Sequence, residues 1–266
     1  MGIKEFQELV WGYYRDHARA MPWREDPTPY HVVVSEFMLQ QTQVSRVEPK
    51  FLQWVARWPD FASLADAPAA EVLRLWKGLG YNRRALRLQE VARIVATEHA
   101  GRLPSAPAEL IALPGIGPGT AGAIAAYAWG QPVAFIETNI RRVFLHHFFF
   151  DQDNVPDSEI MPLITTALDR EHPREWYWAL MDYGTHLKTQ VTNPNRRSRH
   201  YTRQSKFEGS HRQLRGILLE RAIKGETLHE GLKVERYRAK SIQRALGELT
   251  EEGFLVSTGD GFTIRT

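Results

Sequence analysis

Residues 113–122, LPGIGPGTAG, constrain the fold of this chain more than any other segment. Gly115 and Gly117 lie one residue apart, and glycine adopts backbone conformations that other residues rarely reach. The small residues after Pro118 form a helix whose first turn leaves N–H groups without helical partners. The pattern predicts two helices joined by a tight hairpin, with the start of the second open to a phosphate. Glycine-rich connections also join helices that only pack together, so other segments have to decide between these interpretations.

Two glutamates are candidate catalytic residues. Glu36 lies in the apolar stretch YHVVVSEFML, residues 30–39, and burial raises the pKa of a carboxylic acid towards the range of a general acid. Gln40 and Gln41, one helical turn later, offer donors and acceptors for reading base edges or filling a gap in a base stack. Glu137 follows an apolar stretch and precedes a helix, so we expect it at a helix N-terminus. Taken alone, each glutamate is more typical of an ion pair or a helix-end charge.

Composition narrows the class of protein. With 266 residues, 43% hydrophobic and 24% charged, the chain has the values of an ordinary globular protein with a sizeable core. It contains no cysteine, which excludes disulfides, thiolate catalysis, Cys-ligated zinc and a cysteine-held iron–sulfur cluster. The neighbouring His146 and His147 point apart on a helix, so no metal site is predicted. The start does not resemble a signal peptide and no apolar run is long enough to span a bilayer, so we expect a cytoplasmic, nucleoid-associated protein.

Helical periodicity runs almost continuously from the start to about residue 192. Proline and glycine turn signals separate the helical segments. We predict helices at 6–14, 47–58, 71–79, 84–96, 108–113, 121–129, 160–170 and 176–185. Residues 193–210 then form a polar, basic connector.

After the connector the pattern changes. We predict helices at 212–223, 225–232 and 239–252, followed by strands 254–256 and 262–264 around a TGDG turn. Three helices and a hairpin suggest a small winged helix-turn-helix domain, which binds DNA through its third helix or serves only in docking or structure. That third helix carries Lys240, Ser241, Gln243 and Arg244.

Positive charge is concentrated between residues 193 and 221. This segment carries seven Arg and one Lys against two Glu, although the net charge of the whole chain is only +3. Clustered positive charge attracts polyanions such as nucleic acid. Any single member of the cluster is equally typical of a solvated linker.

Read together, these strings resemble the helix-hairpin-helix superfamily of base-excision DNA glycosylases, and within it the MutY-type adenine glycosylases. The similarity runs from PWR at 22–24 to MDYG at 181–184 and includes SEFMLQQTQV, LWKGLGY and LPGIGPGTAGAI in that order. It implies a mainly α fold: a helix-hairpin-helix glycosylase domain over 1–192 with two helical subdomains, and a winged-helix-like α/β domain over 211–266. The six-helix subdomain would span about 29–133, and the second subdomain would combine 1–28 with 134–192.

The resemblance also implies roles for individual residues. Glu36 would protonate the departing base and help to position or activate the water, and Glu137 would stabilise the oxocarbenium-like sugar. The partner would be double-stranded DNA with a damaged or mismatched base, bound by a monomer without cofactor or metal. The residues implied to contact DNA are Gln40, Gln41, Tyr81, Asn82, Leu113, Gly115, Gly117, Gly119 and Thr120.

Three departures from the family pattern matter. Position 137 is normally Asp, and since a misplacement of ~1 Å can cost ~100-fold in rate, either the backbone compensates or the reaction differs. Gly119 stands where bifunctional relatives carry a Schiff-base lysine, so we expect no lyase activity by that route. Most members hold a four-cysteine iron–sulfur cluster after the segment matching 183–184, where this chain has its connector. There we expect packing and phosphate contacts to replace the cluster, the contacts coming from Arg196, Arg197, Arg199 and Arg203.

The resemblance implies a monofunctional glycosylase that flips a mispaired base out of the duplex and hydrolyses its N-glycosidic bond. Adenine opposite 8-oxoguanine or guanine is the leading prediction, favoured by QQTQ at 40–43. Asn82, where adenine glycosylases usually have a second tyrosine, and the replaced C-terminal lesion-reading domain point away from adenine. The alternatives are a uracil or thymine mismatch glycosylase of the same superfamily and a catalytically inactive DNA-binding protein, and Glu36 argues against the last.

Overall fold

The computed structural model describes residues 1–203, 206–229 and 231–265, most of which are helical. The helices of the first half are α1 (Ile3–His17), α2 (Pro22–Glu25), α3 (Pro29–Leu39), α4 (Val44–Arg57), α5 (Phe61–Ala65), α6 (Ala69–Trp76) and α7 (Arg83–Glu98). The later elements are α8 (Pro107–Ala112), α9 (Pro118–Trp129), α10 (Thr138–Phe148), α11 (Asp157–Ala167), α12 (Pro173–Gln190), a 3₁₀ helix (Pro194–Arg197), α13 (His211–Ile223), α14 (Ala239–Glu251), β1 (Leu255–Thr258) and β2 (Gly261–Ile264). Every helix predicted before residue 192 is confirmed, and the mainly helical fold class with it. None of the helices in the described part of the chain has the length and apolar character that a bilayer crossing needs.

Backbone contacts group the chain into two compact units. Unit 1 combines residues 1–40 with 94–202, and unit 2 combines residues 41–93 with the described residues from 203 onward. This grouping divides the predicted six-helix subdomain and places the C-terminal segment with residues 41–93. The domain boundaries at 192 and 210 stay a prediction.

Unit 1 is packed around α9, α10 and α12. Helix α12 packs on α1, α9 and α10, and α3 packs on α9. Two glycines permit the closest approaches: a Cβ on Gly122 would overlap the side chain of Phe135, and one on Gly184 would lie 2.6 Å from the Asn139 carbonyl oxygen. Because Phe135 and Asn139 flank Glu137, these approaches fix the backbone on both sides of that carboxylate.

Asp182 of α12 fixes the segment that leads into α3. Its buried carboxylate accepts hydrogen bonds from Arg19 Nε at 2.8 Å and from both terminal nitrogens of Arg24 at 2.9 Å. A buried carboxylate must be paired in this way, because burying an uncompensated charge costs several kcal/mol. Arg24 lies in α2, a few residues before α3, so this ion pair helps to set where the helix carrying Glu36 begins.

Unit 2 contains two apolar clusters. The rings of Trp54 and Trp58 lie 4.8 Å apart and those of Trp54 and Trp76 5.5 Å apart, both edge to face, which joins α4 to α6. In the C-terminal segment, α13 packs on α14 and β2, and α14 packs on β1. The two strands pair antiparallel from Leu255 with Ile264 to Thr258 with Gly261, which confirms the predicted hairpin.

The helix predicted at 225–232 is wrong for the described residues of that stretch. Gly225 has a φ of 90° and ends α13, and Leu228 then exchanges two backbone hydrogen bonds of 2.8 Å with Phe262 of β2. Leu228 is fully buried. The apolar spacing that predicted a helix therefore belongs to a short stretch that lies beside the hairpin. A buried backbone needs hydrogen-bond partners, and β2 supplies them. Glu230 lies outside the described residues.

Candidate active site

Glu36 lies in the apolar helix α3. Thr28 caps this helix by accepting a hydrogen bond from the His31 N–H, and Pro29 occupies the first helical position. The neighbours along the helix are buried, whereas Glu36 itself keeps a partly accessible surface. Burial, helped by the negative charge of Glu137, raises the pKa of Glu36 to about 8. Glu36 is therefore protonated at neutral pH and can deliver a proton to a leaving group.

Glu137 is the N-cap of α10, as the sequence pattern predicts. Its Oε1 accepts hydrogen bonds from the backbone N–H groups of Asn139 at 2.5 Å and Ile140 at 2.8 Å. Burial raises the pKa of Glu137, whereas these two N–H groups and the positive charges of Arg142 and Arg141 oppose that rise. Donors and cations stabilise the ionised form, so Glu137 is the carboxylate of the two that gives up its proton first.

Asn139 and Arg142 support Glu137, and the sequence analysis did not identify them. Arg142 Nη1 donates to Asn139 Oδ1 at 2.6 Å and to the Gly184 carbonyl oxygen at 2.7 Å. Asn139 Nδ2 in turn reaches Glu137 Oε2 at 3.5 Å. The sequence did contain one signal for Arg142. It is a basic residue on the face of the helix that carries the apolar Ile140 and its buried neighbours. Arg142 is buried there, behind the carboxylate.

Tyr127 of α9 is a third residue that the sequence analysis did not identify. Burial raises its pKa well above the ordinary value, and the negative charges of Glu36 and Glu137 add to that effect. Its ring lies 6.2 Å from the rings of both Phe135 and Trp178. The phenol is therefore neutral at all physiological pH values and forms part of the aromatic surroundings of the two carboxylates.

The predicted hairpin between α8 and α9 is present. Gly115 has a φ of 83°, and Leu113 and Ile116 are buried beneath the turn. Gly117 is the exposed, extended N-cap of α9 and offers no capping side chain, so the first turn of α9 presents N–H groups outward. These are the groups that the sequence predicts to bind a phosphate.

Gly119 lies in the first turn of α9, next to the segment that carries Glu137. A Cβ at this position would lie 3.1 Å from the carbonyl oxygen of Ile136, the residue before the carboxylate. Thr120 follows and is half-buried. A side chain at position 119 would therefore start beside the candidate active site, and glycine supplies no amine there.

The remaining predicted contacts with bases lie on two turns. Gln40 is the C-cap of α3 and belongs to unit 1. Gln41, with a φ of 55°, and the exposed Tyr81, with a φ of 48°, belong to unit 2 together with the half-buried Asn82. Within unit 2, the hydroxyl of Thr42 donates to the Leu79 carbonyl oxygen at 3.2 Å, which ties the turn after Gln41 to the loop of Tyr81.

The first part of the connector packs against α10. Asn195 Nδ2 donates to the Thr138 carbonyl oxygen at 3.0 Å, at the start of the helix that Glu137 caps. Arg197 donates to the carbonyl oxygens of Leu145 at 2.7 Å and Phe150 at 3.3 Å, at the other end of that helix. The guanidinium of Arg197 thus binds protein carbonyls in this structure, which differs from the predicted phosphate contact.

The other three arginines of the connector are exposed. These are Arg196, Arg199 and Arg203. Backbone hydrogen bonds with Val155 hold the chain on both sides of Ser198, from the Arg197 carbonyl and the Arg199 N–H. The exposed guanidinium of Arg199 is therefore presented from a backbone that is fixed at this point.

No group of three or more His, Asp or Glu side chains within the described ranges could hold a metal ion. His146 and His147 have rings 4.6 Å apart in an edge arrangement. His147 Nε2 lies 2.9 Å from the hydroxyl of Tyr183, and burial lowers the pKa of His147 to about 4. His147 is thus a neutral, hydrogen-bonded residue of unit 1.

Comparison with known proteins identifies the family of this chain. Residues 34–164 match the family model of HhH-GPD superfamily base excision DNA repair proteins. The adenine DNA glycosylase of Mycobacterium tuberculosis is 35% identical over 292 aligned positions, covering 97% of this chain and 92% of that enzyme. The adenine DNA glycosylase of Homo sapiens is 35% identical over 199 positions, covering 70% of this chain and 36% of that enzyme.

Solved structures share the fold. A thermostable thymine-DNA glycosylase superposes with a TM-score of 0.61 at 24% identity, over 68% of this chain and 85% of that one. Endonuclease III in a non-covalent complex with DNA superposes with a TM-score of 0.60 at 16% identity, over 72% of this chain and 90% of that one. At these identities the likeness establishes the architecture alone.

Proposed function

The chain belongs to the HhH-GPD superfamily of base excision DNA repair proteins and is a DNA N-glycosylase, and we propose that it removes adenine paired with guanine or 8-oxoguanine. Similarity to enzymes named adenine DNA glycosylases over nearly the whole chain supports this substrate. The QQTQ segment at 40–43 supports it as well.

The observation that carries the proposed mechanism is the opposite setting of Glu36 and Glu137. Glu36 keeps its proton at neutral pH and donates it to the base as the N-glycosidic bond breaks. Glu137, held by backbone N–H groups, supplies the negative charge that stabilises the cationic sugar. Water then adds to the sugar, and Glu36 in its ionised form takes the proton from that water. Two carboxylates in different environments perform the acid and the stabilising roles.

The product in this proposal is an intact strand with an abasic site. A lyase would need an amine that attacks the sugar carbon, and Gly119 provides none at the position beside Glu137. The reaction is therefore hydrolytic.

The protein binds DNA, and three surfaces are assigned to that contact. The first turn of α9 binds a phosphate through its N–H groups, together with the hairpin residues 113–117. The exposed arginines of the connector, Arg196, Arg199 and Arg203, bind further phosphates. Gln40, Gln41, Tyr81 and Asn82 contact bases. We assign this binding to a monomer.

One panel of duplexes tests the substrate. Each duplex carries a single A:8-oxoguanine, A:G, U:G, T:G or hypoxanthine site and is incubated with enzyme, and hot alkali then cleaves the strand at any abasic site. We expect cleavage of the two adenine duplexes only. Excision of uracil or thymine alone would establish the mismatch alternative, and binding without any excision would establish an inactive DNA-binding protein.

Borohydride added during the same reactions tests the hydrolytic mechanism. Borohydride traps a covalent protein–DNA adduct only where an amine has formed a Schiff base with the sugar. We expect no trapped band with any duplex in the panel. A strong band that maps to a lysine would show that the chain carries a nucleophile elsewhere.

A further inference from the structure

The loop at residues 77–82 of unit 2, the GLGY loop, has a constrained backbone. Gly78 and Gly80 have φ values of 100° and 74°, and Tyr81 adopts a φ of 48°. A non-glycine residue reaches this region at a conformational cost and stays there only when its surroundings hold it. Tyr81 is nevertheless 43% exposed.

Side chains of unit 2 hold the backbone of the GLGY loop by its carbonyl groups. Arg84 Nη2 donates to the carbonyl oxygens of Leu79 at 3.1 Å and Gly80 at 3.0 Å. Trp76 Nε1 donates to the same Gly80 oxygen at 3.1 Å, and Arg46 donates to the Gly78 oxygen. These bonds fix the path of the chain, and the Arg84 guanidinium also lies over the Tyr81 ring, 5.7 Å from its centre.

Helix α13 contacts both ends of this loop. Arg212 Nη1 donates to the Tyr81 hydroxyl at 3.2 Å, and Lys77 Nζ lies 2.7 Å from Glu220 Oε1. Arg212 and Glu220 are eight residues apart, so they lie on one face of α13, two turns from each other. A helix of the C-terminal segment thus reaches the loop at its first residue and at its aromatic side chain.

We propose that Arg212 is a positioning residue for DNA engagement: it sets the orientation of the Tyr81 ring through the tyrosine hydroxyl. The proposal rests on the proposed function, in which Tyr81 contacts bases. An aromatic ring that is already oriented loses less rotational freedom when it stacks on a base, so less binding energy is spent on ordering it. In this arrangement the C-terminal segment acts on DNA binding through the GLGY loop rather than as a separate DNA-reading module.

A double-mutant cycle tests the link. Arg212→Met removes the donor and keeps the length of the side chain, and Tyr81→Phe removes the acceptor and keeps the ring. The probe is a duplex with a non-hydrolysable adenine nucleotide opposite guanine and 2-aminopurine in the flanking base pair, whose fluorescence reports ring insertion. We expect each single variant to weaken binding about three- to tenfold and to alter the fluorescence equally, and the double variant to match either single one.

Two further variants separate positioning from charge. Arg212→Lys keeps a donor and the charge and should recover part of the fluorescence signal. Arg236→Met removes one arginine of the same segment, from an exposed ion pair with Glu208, and should leave both readouts unchanged. Thermal unfolding of every variant checks that it is folded.

Several results would overturn the positioning role. Effects of Arg212→Met and Tyr81→Phe that multiply in the double variant would mean that Arg212 acts on DNA independently, as a phosphate contact. Wild-type behaviour of Arg212→Met would remove the role altogether, and so would wild-type binding by Tyr81→Ala. An error in the proposed substrate would give a different result. The enzyme would excise no adenine, while the double-mutant cycle would still show coupling between Arg212 and Tyr81.

Discussion

Helix α3 and the start of α10 each carry a glutamate in unit 1, and the surroundings of the two carboxyl groups differ. Around Glu36, α3 supplies apolar neighbours, and burial raises the pKa of that carboxyl to about 8. Around Glu137, α10 supplies two backbone N–H groups within 2.8 Å, backed by the buried Arg142. Burial raises the pKa of both carboxyls, but only at Glu137 do N–H groups and arginine charges oppose that rise.

This contrast shows what separates the two chemical roles. A helix interior has no spare donors, whereas a helix N-terminus has several. In the proposed mechanism the acid therefore lies within a helix and the stabilising anion at the beginning of one. Glu137 is one methylene longer than the Asp of the family pattern, and its carboxylate still reaches the N–H groups at the start of α10.

The largest effect is expected from removing the acid. Glu36→Gln keeps the size and polarity of the side chain and removes its proton, so excision should fall by about 10³-fold or more while binding to the adenine duplex is largely kept. Single-turnover excision and a binding titration measure the two quantities. Excision near the wild-type rate would end the assignment of Glu36 as the general acid.

The next largest effect concerns the stabilising anion. Glu137→Gln removes the charge and should slow excision by about 10²-fold with little change in affinity, which is the signature of lost transition-state stabilisation. Glu137→Asp separates two interpretations: a faster enzyme would mean that the longer side chain is merely tolerated, and a much slower one that the pocket is built around it. If neither substitution changes the rate, Glu137 is only a helix cap.

The pH dependence should follow the same contrast on a smaller scale. Because Glu36 must be protonated, the single-turnover rate should be lost as pH rises through about 8, by about tenfold per pH unit. At low pH the rate should fall as Glu137 takes up a proton. A flat profile across pH 7–9 would contradict the raised pKa of Glu36.

The raised pKa of Glu36 also predicts a change in stability. The folded protein binds this proton more tightly than the unfolded chain does, so the favourable contribution is complete below pH 4.5 and is lost as pH rises through 8. Glu36→Gln should therefore add on the order of 4 kcal/mol to the free energy of unfolding at pH 8 and little at pH 4. Thermal unfolding at both pH values measures this difference, and an equal shift at both would contradict it.

The smallest effects separate two neighbouring arginines of the connector. Arg197→Met removes two hydrogen bonds to carbonyls around the end of α10 and should cost about 1–2 kcal/mol of stability while leaving DNA affinity unchanged. Arg199→Met should leave the melting temperature unchanged, weaken binding to every duplex, and reduce the salt slope by about 1. If instead Arg197→Met weakened DNA binding and Arg199→Met lowered stability, Arg197 would be the residue that contacts DNA.

The sequence by itself determined what depends on near neighbours. The turn signals before α3, the paired glycines of the hairpin and the position of Glu137 at the start of α10 all follow from residues within about one helical turn. The same holds for the terminal hairpin, whose Gly-Asp-Gly turn is local. Local context marked Glu36 and Glu137 only as candidates, and their catalytic roles were implied by the resemblance to the glycosylase family.

Tertiary structure decided everything that depends on a distant partner. Residues 226–229 are not helical because Leu228 finds its backbone partners in Phe262. Arg197 turns to the carbonyls of residues 145 and 150, although nothing in its neighbours distinguishes it from Arg199. Arg212 lies 131 positions from Tyr81, yet donates to its hydroxyl. The packing of whole helices and strands decides which distant groups meet in such hydrogen bonds. Short segments of sequence do not contain that information.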